Sequence, residues 1–452
     1  MRKYFGTDGV RGIANEELSA ELAYKLGRAG AYVLKEQSEH DSERVKVVIG
    51  TDTRISKDIL SAALSSGFMS VGVDVIDVGV LPTPAIAYLT KYHKADIGAV
   101  ISASHNPMEY NGIKFFNSKG FKLADEIELE IEKYIDDMDL IEEYPTFSNI
   151  GQKIATADPL KTYAEFLKSC VEVNFSGLKI VLDTANGAAF EVAPLVFKEL
   201  GAEVTCISCE PDGLNINYNC GSTHVQTLQK TVMEMGADLG LASDGDADRL
   251  IAIDENGQVV DGDKIMLICA NQMKDEKKLK DDTLVVTVMS NMGLHVAAKK
   301  LGIKLDITKV GDRYVLEEMV KNGSSLGGEQ SGHMIFLDYI TTGDGVLSSL
   351  IFTQILKKQG KRVSELAEIM DIYPQILINA KVSNGNKHSY MDNEEVASKI
   401  KELEEKMDGE GRVLIRPSGT EPLVRVMIEG KDQNQIEEMA EQLAKLIEKN
   451  LA

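Results

Sequence analysis

The sequence predicts an α/β protein of several domains: three similar layers of mixed, mainly parallel sheet covered by helices, then a smaller α+β unit. Three observations carry this. The chain has 452 residues, 43% of them hydrophobic, too many to share one core. Short apolar, β-branched runs alternate with helical patterns through the first three quarters, as parallel strands joined by right-handed crossovers do. The last part breaks the alternation, with two strands flanking the turn Arg416-Pro-Ser-Gly-Thr-Glu-Pro422 between two amphipathic helices.

In the first round, 44–49 is a β-branched strand and 59–72 a helix, with Ile59, Leu60, Ala63 and Leu64 on one face and Ser56 as its N-cap. Strands follow at 73–78 and 95–101, then an amphipathic helix at 125–137 built on Ile127, Ile131 and Ile135. Residues 140–159 hold two prolines and no clear period, so they read as a boundary. The pattern restarts with a strand at 178–182, a helix ending at Gly201, a strand at 203–207, a helix ending at Gly236 and a strand at 238–242. A third round begins near Gly262, with a helix through Met273, a strand at 283–287, a helix to Leu301, a strand around 305–307 and a long helix at 344–357. Pro374 closes it, and helices at 394–407 and 433–451 complete the last unit. The expected domains are 1–155, 156–257, 258–371 and 372–452.

The net charge of −22, from 49 basic and 71 acidic residues, argues against nucleic acid or an anionic membrane as partner. An acidic protein still binds phosphate where its few cations converge in one cleft. No run is long and apolar enough to span a membrane, and the opening residues lack the apolar core of a signal peptide, so a cytoplasmic protein is expected. Five cysteines do not make a disulfide framework. Cys206-x-x-Cys209 with Cys220 and His224 has zinc-like spacing, but Cys206 lies in a strand-like run and no paired second half follows, so these read as ordinary buried thiols.

The chemistry lies in loops. Ile101-Ser-Ala-Ser-His-Asn-Pro107 follows a buried strand and is broken by Asn106-Pro107, which presents a hydroxyl just past the strand's C-terminal end. His105 and Lys114 lie close by in sequence. Alone, this is an ordinary Ser-rich turn. Ser243-Asp-Gly-Asp-Ala-Asp-Arg249 then sets carboxylates at Asp244, Asp246 and Asp248, where alternate side chains of an extended loop converge on one hard cation. It is no EF-hand, because Arg249 stands at the sixth position and the flanks read as strands. A cation loop with a built-in arginine suggests phosphate chemistry. Gly327-Gly-Glu-Gln-Ser-Gly-His333 offers Glu329, Gln330, Ser331 and His333 to hydroxyl groups, which need both donors and acceptors. Arg416-Pro-Ser-Gly-Thr-Glu-Pro422 offers hydroxyls at Ser418 and Thr420, a permissive Gly419 and the guanidinium groups of Arg416 and Arg425, a set suited to a tetrahedral dianion. Phe5-Gly-Thr-Asp-Gly-Val-Arg-Gly12 is a Gly-rich loop able to carry Arg11 to the nucleophile. No Walker A loop, dinucleotide fingerprint or zinc-protease motif is present.

Taken in order, these loops resemble the α-D-phosphohexomutase superfamily, one motif per domain across nearly the whole chain. Gln330, Val310-Gly-Asp-Arg-Tyr-Val315 and the opening Phe5-to-Gly12 loop resemble its amino-sugar branch; mutases for mannose and glucose phosphates are similar but usually differ at Gln330. The resemblance implies a heart-shaped, four-domain fold and conversion of glucosamine 6-phosphate to glucosamine 1-phosphate, for UDP-N-acetylglucosamine and cell-wall synthesis. It implies that Ser104 is a phosphoserine and that Asp244, Asp246 and Asp248, with an oxygen on Ser104, bind one Mg²⁺. Glu329 and Ser331, with His333, would hold the sugar, and Arg416, Ser418, Gly419, Thr420 and Arg425 its phosphate.

The implied reaction passes the phosphoryl group from Ser104 to O1, giving a hexose 1,6-bisphosphate that also acts as activator, turns end over end and returns its other phosphoryl group. Arg11 and Arg249 would stabilise charge. Lys114, its pKa lowered by its surroundings, is the first choice for proton transfer, ahead of His105 and His333. The last domain is expected to hinge at 372–375, and a homodimer is a possible assembly. A phosphomannomutase or phosphoglucomutase, a metal-dependent phosphomonoesterase and a non-catalytic binding protein are the rival readings.

Overall fold

The computed structural model describes residues 2–6, 8–35, 44–142, 144–383, 385–387, 389–418 and 422–451. Four sheets follow one another along the chain. The first runs Val10–Ile13, Tyr110–Asn117, Ile97–Ile101, Lys46–Thr51, Asp74–Val80, Lys153–Ile154. Its last four strands are parallel, while Tyr110–Asn117 is antiparallel to both neighbours. The second runs Val259–Val260, Ile251–Asp254, Leu239–Ala242, Lys179–Asp183, Glu203–Ile207, parallel over the last three and antiparallel before them. In the third, Thr283–Thr287 is parallel to Leu326–Gly328, which is antiparallel to Met334–Phe336. The fourth, Gln375–Lys381, Leu423–Gly430, Gly411–Pro417, is wholly antiparallel.

The sheets are thus less parallel than the alternation alone suggests, for a reason that bears on function. Each of the four motif loops joins two antiparallel strands, and among the described residues no helix lies between them: Ile97–Ile101 to Tyr110–Asn117, Leu239–Ala242 to Ile251–Asp254, Leu326–Gly328 to Met334–Phe336, and Gly411–Pro417 to Leu423–Gly430. A short connection cannot make a parallel crossover, so the chain turns straight back.

Most of the helices and strands read from sequence are present within a residue or two. The helix at Lys57–Ser70 buries Leu60 and Leu64, but Ile59 is 44% exposed. Ser56 is itself helical in backbone and its side chain makes no cap; its Oγ accepts from Asn111 Nδ2 at 2.9 Å. Helices Ala20–Lys35, Thr83–Tyr92, Pro159–Ser169 and Asp312–Asn322 are additional, as are strands Val10–Ile13 and Tyr110–Asn117. Inside 140–159, the two-residue strand Lys153–Ile154 extends the first sheet.

The chain divides into two compact units: Met1–Val288 with Leu305–Ala367, and Met289–Lys304 with Glu368–Ala452. In the first unit, helices Ala20–Lys35 and Lys57–Ser70 close one face of the first sheet through Leu26, Leu64 and Phe68 against Val47, Ile97 and Phe115. In the second unit, the three-stranded sheet buries Val424, Val426 and Ile428 against Val396 and Leu403 of helix Glu394–Lys406 and Ile436 and Leu443 of helix Gln433–Leu451. Helix Met292–Leu301, read from sequence as part of the third round, belongs with this second unit, and 372–375 lies inside it. There Asn291 Oδ1 accepts from the Tyr373 amide at 2.9 Å and Asn291 Nδ2 donates to the Tyr373 carbonyl at 3.0 Å.

Candidate active site

Strand Ile97–Ile101 is fully buried, and the chain leaves it through Ser102 and Ala103 to Ser104, whose φ of +52° lies in the left-handed region. There the Ser104 hydroxyl, on a residue 1% exposed, donates to Asp244 Oδ2 at 2.6 Å and lies 3.2 Å from His105 Nδ1. Burial, with Asp248 and Asp246 beside it, pushes the Asp244 carboxyl up to about 8. Asp244, Asp246 and Asp248 are all buried, and ligand oxygens of the three lie within 4.8 Å of one another. Asp246 Oδ1 and Asp248 Oδ1 are buried without a hydrogen-bond partner. Three hard, mutually repelling oxygen donors, two with unmet lone pairs, fit a divalent cation such as Mg²⁺.

Cations surround this cluster. Lys114, 2% exposed on strand Tyr110–Asn117, lies 3.0 Å from Asp246 Oδ2 and 2.8 Å from Asp8 Oδ2. Burial works against its charged form, but Asp246 and Asp8 outweigh it and push the ammonium up to about 12. The lowered value expected for Lys114 as a proton-transfer group is therefore corrected: facing carboxylates keep it charged. Arg249 lies with Nε 3.8 Å from Asp248 and 4.0 Å from Asp244. Arg11 pairs with Asp8, which also holds Lys122 at 2.7 Å, and Lys122 pairs with Asp312. Burial opposes it, yet Lys114, Lys122 and Arg11 hold the Asp8 carboxyl well below its usual range. His105 is held below the ordinary imidazole value by burial, Arg249 and Arg11. His333 is raised: burial lowers it, but Asp248, 3.5 Å from Nδ1, outweighs that.

The third loop is sewn to the acidic loop. The Leu250 amide donates to the Gly332 carbonyl at 3.0 Å, and Arg249 and His333 form a bridge. Gly332 has φ +93°, and a Cβ there would fall 2.1 Å from the Leu250 carbonyl oxygen, so only glycine fits. This brings Glu329 and His333, with Ser104, His105, Arg11, Arg249, Asp248, Asp8, Asp312 and Tyr4, around one cavity of about 400 Å³. Glu329 Oε1 accepts from the Gly311 amide at 3.0 Å. Ser331 stands exposed outside the cavity lining, and Gln330 Nε2 reaches Asp261 Oδ2 at 3.4 Å.

In the second unit, Arg416 and Arg425 are directly opposite in the antiparallel pair Gly411–Pro417 and Leu423–Gly430, so both project from one face. Ser418 is 4% exposed, its amide donates to the Leu423 carbonyl at 2.9 Å, and its carbonyl accepts from Lys387 Nζ at 2.9 Å. Gly419 and Thr420 lie outside the described residues. Like charges held opposite each other repel unless an anion joins them. Sequence alone gives no site role to Asp8, Lys122, Asp312 or Thr83, whose hydroxyl donates to Asp246 Oδ2 at 2.8 Å. Asp8 lies inside the loop noted for Arg11 and Asp312 inside Val310-Gly-Asp-Arg-Tyr-Val315; Lys122 and Thr83 carry no local signal.

The chain matches four domain families in order, described as phosphoglucomutase/phosphomannomutase α/β/α domain I over residues 2–142, domain II over 161–257, domain III over 261–373 and C-terminal domain over 377–446. It is 62% identical to a phosphoglucosamine mutase of Clostridioides difficile, covering 100% of both chains. Among solved structures, a phosphoglucomutase/phosphomannomutase family protein from Burkholderia thailandensis superposes with TM-score 0.82 at 24% identity, covering 99% of this chain and 98% of that one. The N-acetylphosphoglucosamine mutase of Aspergillus fumigatus, in complex with GlcNAc-6P and magnesium, superposes with TM-score 0.70 at 17% identity, covering 100% and 96%.

Proposed function

The chain belongs to the phosphoglucomutase/phosphomannomutase family, among its phosphoglucosamine mutases, and from that premise we propose how its residues interconvert glucosamine 6-phosphate and glucosamine 1-phosphate. The hydrogen bond from Ser104 Oγ to Asp244 carries the reading: it sets a buried hydroxyl against a carboxylate triad beside a sugar-sized cavity.

Ser104 acts as the phosphoserine. Its phosphoryl group passes to O1 of glucosamine 6-phosphate: the P–Oγ bond breaks, the P–O1 bond forms, and the proton leaving O1 ends on Oγ. The 1,6-bisphosphate turns end over end, and the phosphoryl group on O6 returns to Oγ by the reverse chemistry. Asp244, Asp246 and Asp248, with an oxygen on Ser104, would hold one Mg²⁺, which when bound neutralises charge developing on the transferring group. Arg11 and Arg249 hold the equatorial oxygens, and the Lys114 ammonium adds fixed positive charge that needs no reorganisation. His105, with Nδ1 3.2 Å from Oγ, is the group placed to move the proton. Glu329 and His333 orient sugar hydroxyls, with Ser331 on the same loop.

Arg416, Ser418, Gly419, Thr420 and Arg425 grip the phosphate that is not reacting. Both ends of the intermediate must meet the same serine, so this grip reads a dianion and not the sugar. Free hexose 1,6-bisphosphate reloads Ser104 when the intermediate escapes.

Phosphorus NMR of the full chain with Mg²⁺, a trace of hexose 1,6-bisphosphate and glucosamine, glucose or mannose 6-phosphate tests this. Glucosamine 1-phosphate is expected to form first, and Ser104→Ala is expected to form none while melting normally. A hexose 1-phosphate in preference would overturn the substrate, free phosphate alone would make the protein a phosphatase, and turnover by Ser104→Ala would remove the phosphoserine.

A further inference from the structure

Ser104 carries a Cβ in a left-handed backbone conformation, which persists only where its surroundings fix it. Its amide donates to Ser102 Oγ at 3.0 Å, and Ser102 Oγ donates to Asp52 Oδ2 at 2.6 Å. Arg54 Nε donates to that same carboxylate oxygen at 2.9 Å, and Arg54 Nη2 donates to the carbonyls of Ser104 at 3.0 Å and Asn106 at 2.8 Å. Both peptide groups bounding Ser104 are thereby tied to one carboxylate. Asp52, Ser102 and Arg54 are each 0% exposed.

This circuit belongs to the first sheet and fixes the loop only within it. The tie to the acidic loop comes from the segment after strand Glu203–Ile207. Asn217 Nδ2 donates to the carbonyls of Ser104 at 2.8 Å and Asn106 at 3.1 Å. Asn217 is 8% exposed, has φ +58°, and its amide donates to the Ala185 carbonyl at 2.9 Å. Gly245, between Asp244 and Asp246, backs onto the same point: a Cβ there would fall 2.6 Å from the Ser104 carbonyl oxygen and 2.8 Å from Asn217 Nδ2. The Asn217 amide therefore fills the seam where nucleophile loop and acidic loop meet.

We propose that Asn217 is a positioning residue that sets the Ser104 hydroxyl in register with the acidic triad, acting through two backbone carbonyls. The inference rests on Ser104 as nucleophile. Asn217→Asp keeps shape and tolerance of a positive φ but turns an acceptor toward both carbonyls. Asn217→Gly removes the donor with no backbone strain and serves where the aspartate misfolds. Displacing a reacting atom by about 1 Å can cost about a hundredfold in rate.

The test is steady-state kinetics of the full-length variants with glucosamine 6-phosphate, alongside melting curves and intact-mass measurement of Ser104 phosphorylation by hexose 1,6-bisphosphate. The expected result is kcat down about ten- to a hundredfold, KM within about threefold, slowed phosphorylation and a melting temperature that is lowered yet stays above the assay temperature, so that the protein assayed is folded. Unchanged kcat in both variants overturns the proposal, as does a loss of kcat that only follows a loss of folded protein. Wild-type activity with Ser104→Ala inactive keeps these outcomes separate from failure of the phosphoserine reading.

Discussion

Three carboxylates buried side by side repel one another unless a cation lies among them, and Asp244 shows that strain most plainly. Asp244→Asn leaves a hydrogen-bond acceptor for Ser104 and spares the fold the cost of protonating, at neutral pH, a carboxyl raised to about 8. Without Mg²⁺ this variant is expected to be more stable than the parent chain by at least about 1 kcal/mol, because each pKa unit of such a shift is worth about that much. With Mg²⁺ the order reverses: the parent gains stability by mass action, about 2.7 kcal/mol at a hundred times Kd, and the variant gains little. Differential scanning calorimetry in chelator and in Mg²⁺ checks both halves; parallel Mg²⁺ responses would count against the triad as the metal site. At this scale the sequence was legible where chemistry was local. Asp244, Asp246 and Asp248 alternate in five residues, and Ser104 lies one residue from His105. Arg54, Asn217 and Lys122 were not legible: the Ser104 carbonyl that Arg54 and Asn217 reach lies 50 and 113 residues away, the Asp312 partner of Lys122 lies 190 away, and the neighbouring Asp52–Arg54 pair alone looks like any local ion pair.

At the scale of elements, each motif loop joins an antiparallel pair, and the helix after the third is anchored to the acidic loop, the Gly345 amide donating to the Ala247 carbonyl at 2.9 Å. Helix Gly345–Gln359 begins at Asp344, whose Oδ1 accepts from the Leu347 amide at 2.9 Å and whose Oδ2 accepts from the Tyr163 hydroxyl at 2.5 Å. Burial pushes the Asp344 carboxyl up to about 6. Its folded value exceeds its unfolded value, so its contribution favours the fold most at low pH and fades as pH rises through the folded value. Asp344→Asn, which also caps helices, is therefore expected to flatten the stability profile between about pH 4 and about pH 6. Urea titrations across that window check the slope; an unaltered slope would show that another group sets it. Elements with strong periods, such as Gln433–Leu451, were readable from sequence, whereas Lys153–Ile154 and Leu326–Gly328 were too short to show a period of two.

At the scale of the whole molecule, Ser104 and the acidic triad lie in the first unit, and the paired arginines Arg416 and Arg425 in the second. Arg416→Ala is expected to weaken glucosamine 6-phosphate binding by about 1.5–3 kcal/mol, roughly ten- to a hundredfold, since one charge-assisted contact is lost. Its melting response to Mg²⁺ should stay as in the parent chain. Calorimetric titration with each ligand separates the two, and equal loss of both would count against separate sites.

The second unit is assembled from two pieces of chain, 289–304 and 368–452, with 305–367 belonging to the first. During synthesis the earlier piece leaves the ribosome before its partner exists. Asn291, at the start of helix Met292–Leu301, must then pass that interval without its Tyr373 partner. A chain cut after residue 367 would hold the segment in that state for good. The second unit as a whole is thus not one continuous piece of chain, although the core of its sheet and last two helices lies wholly within residues 380–451.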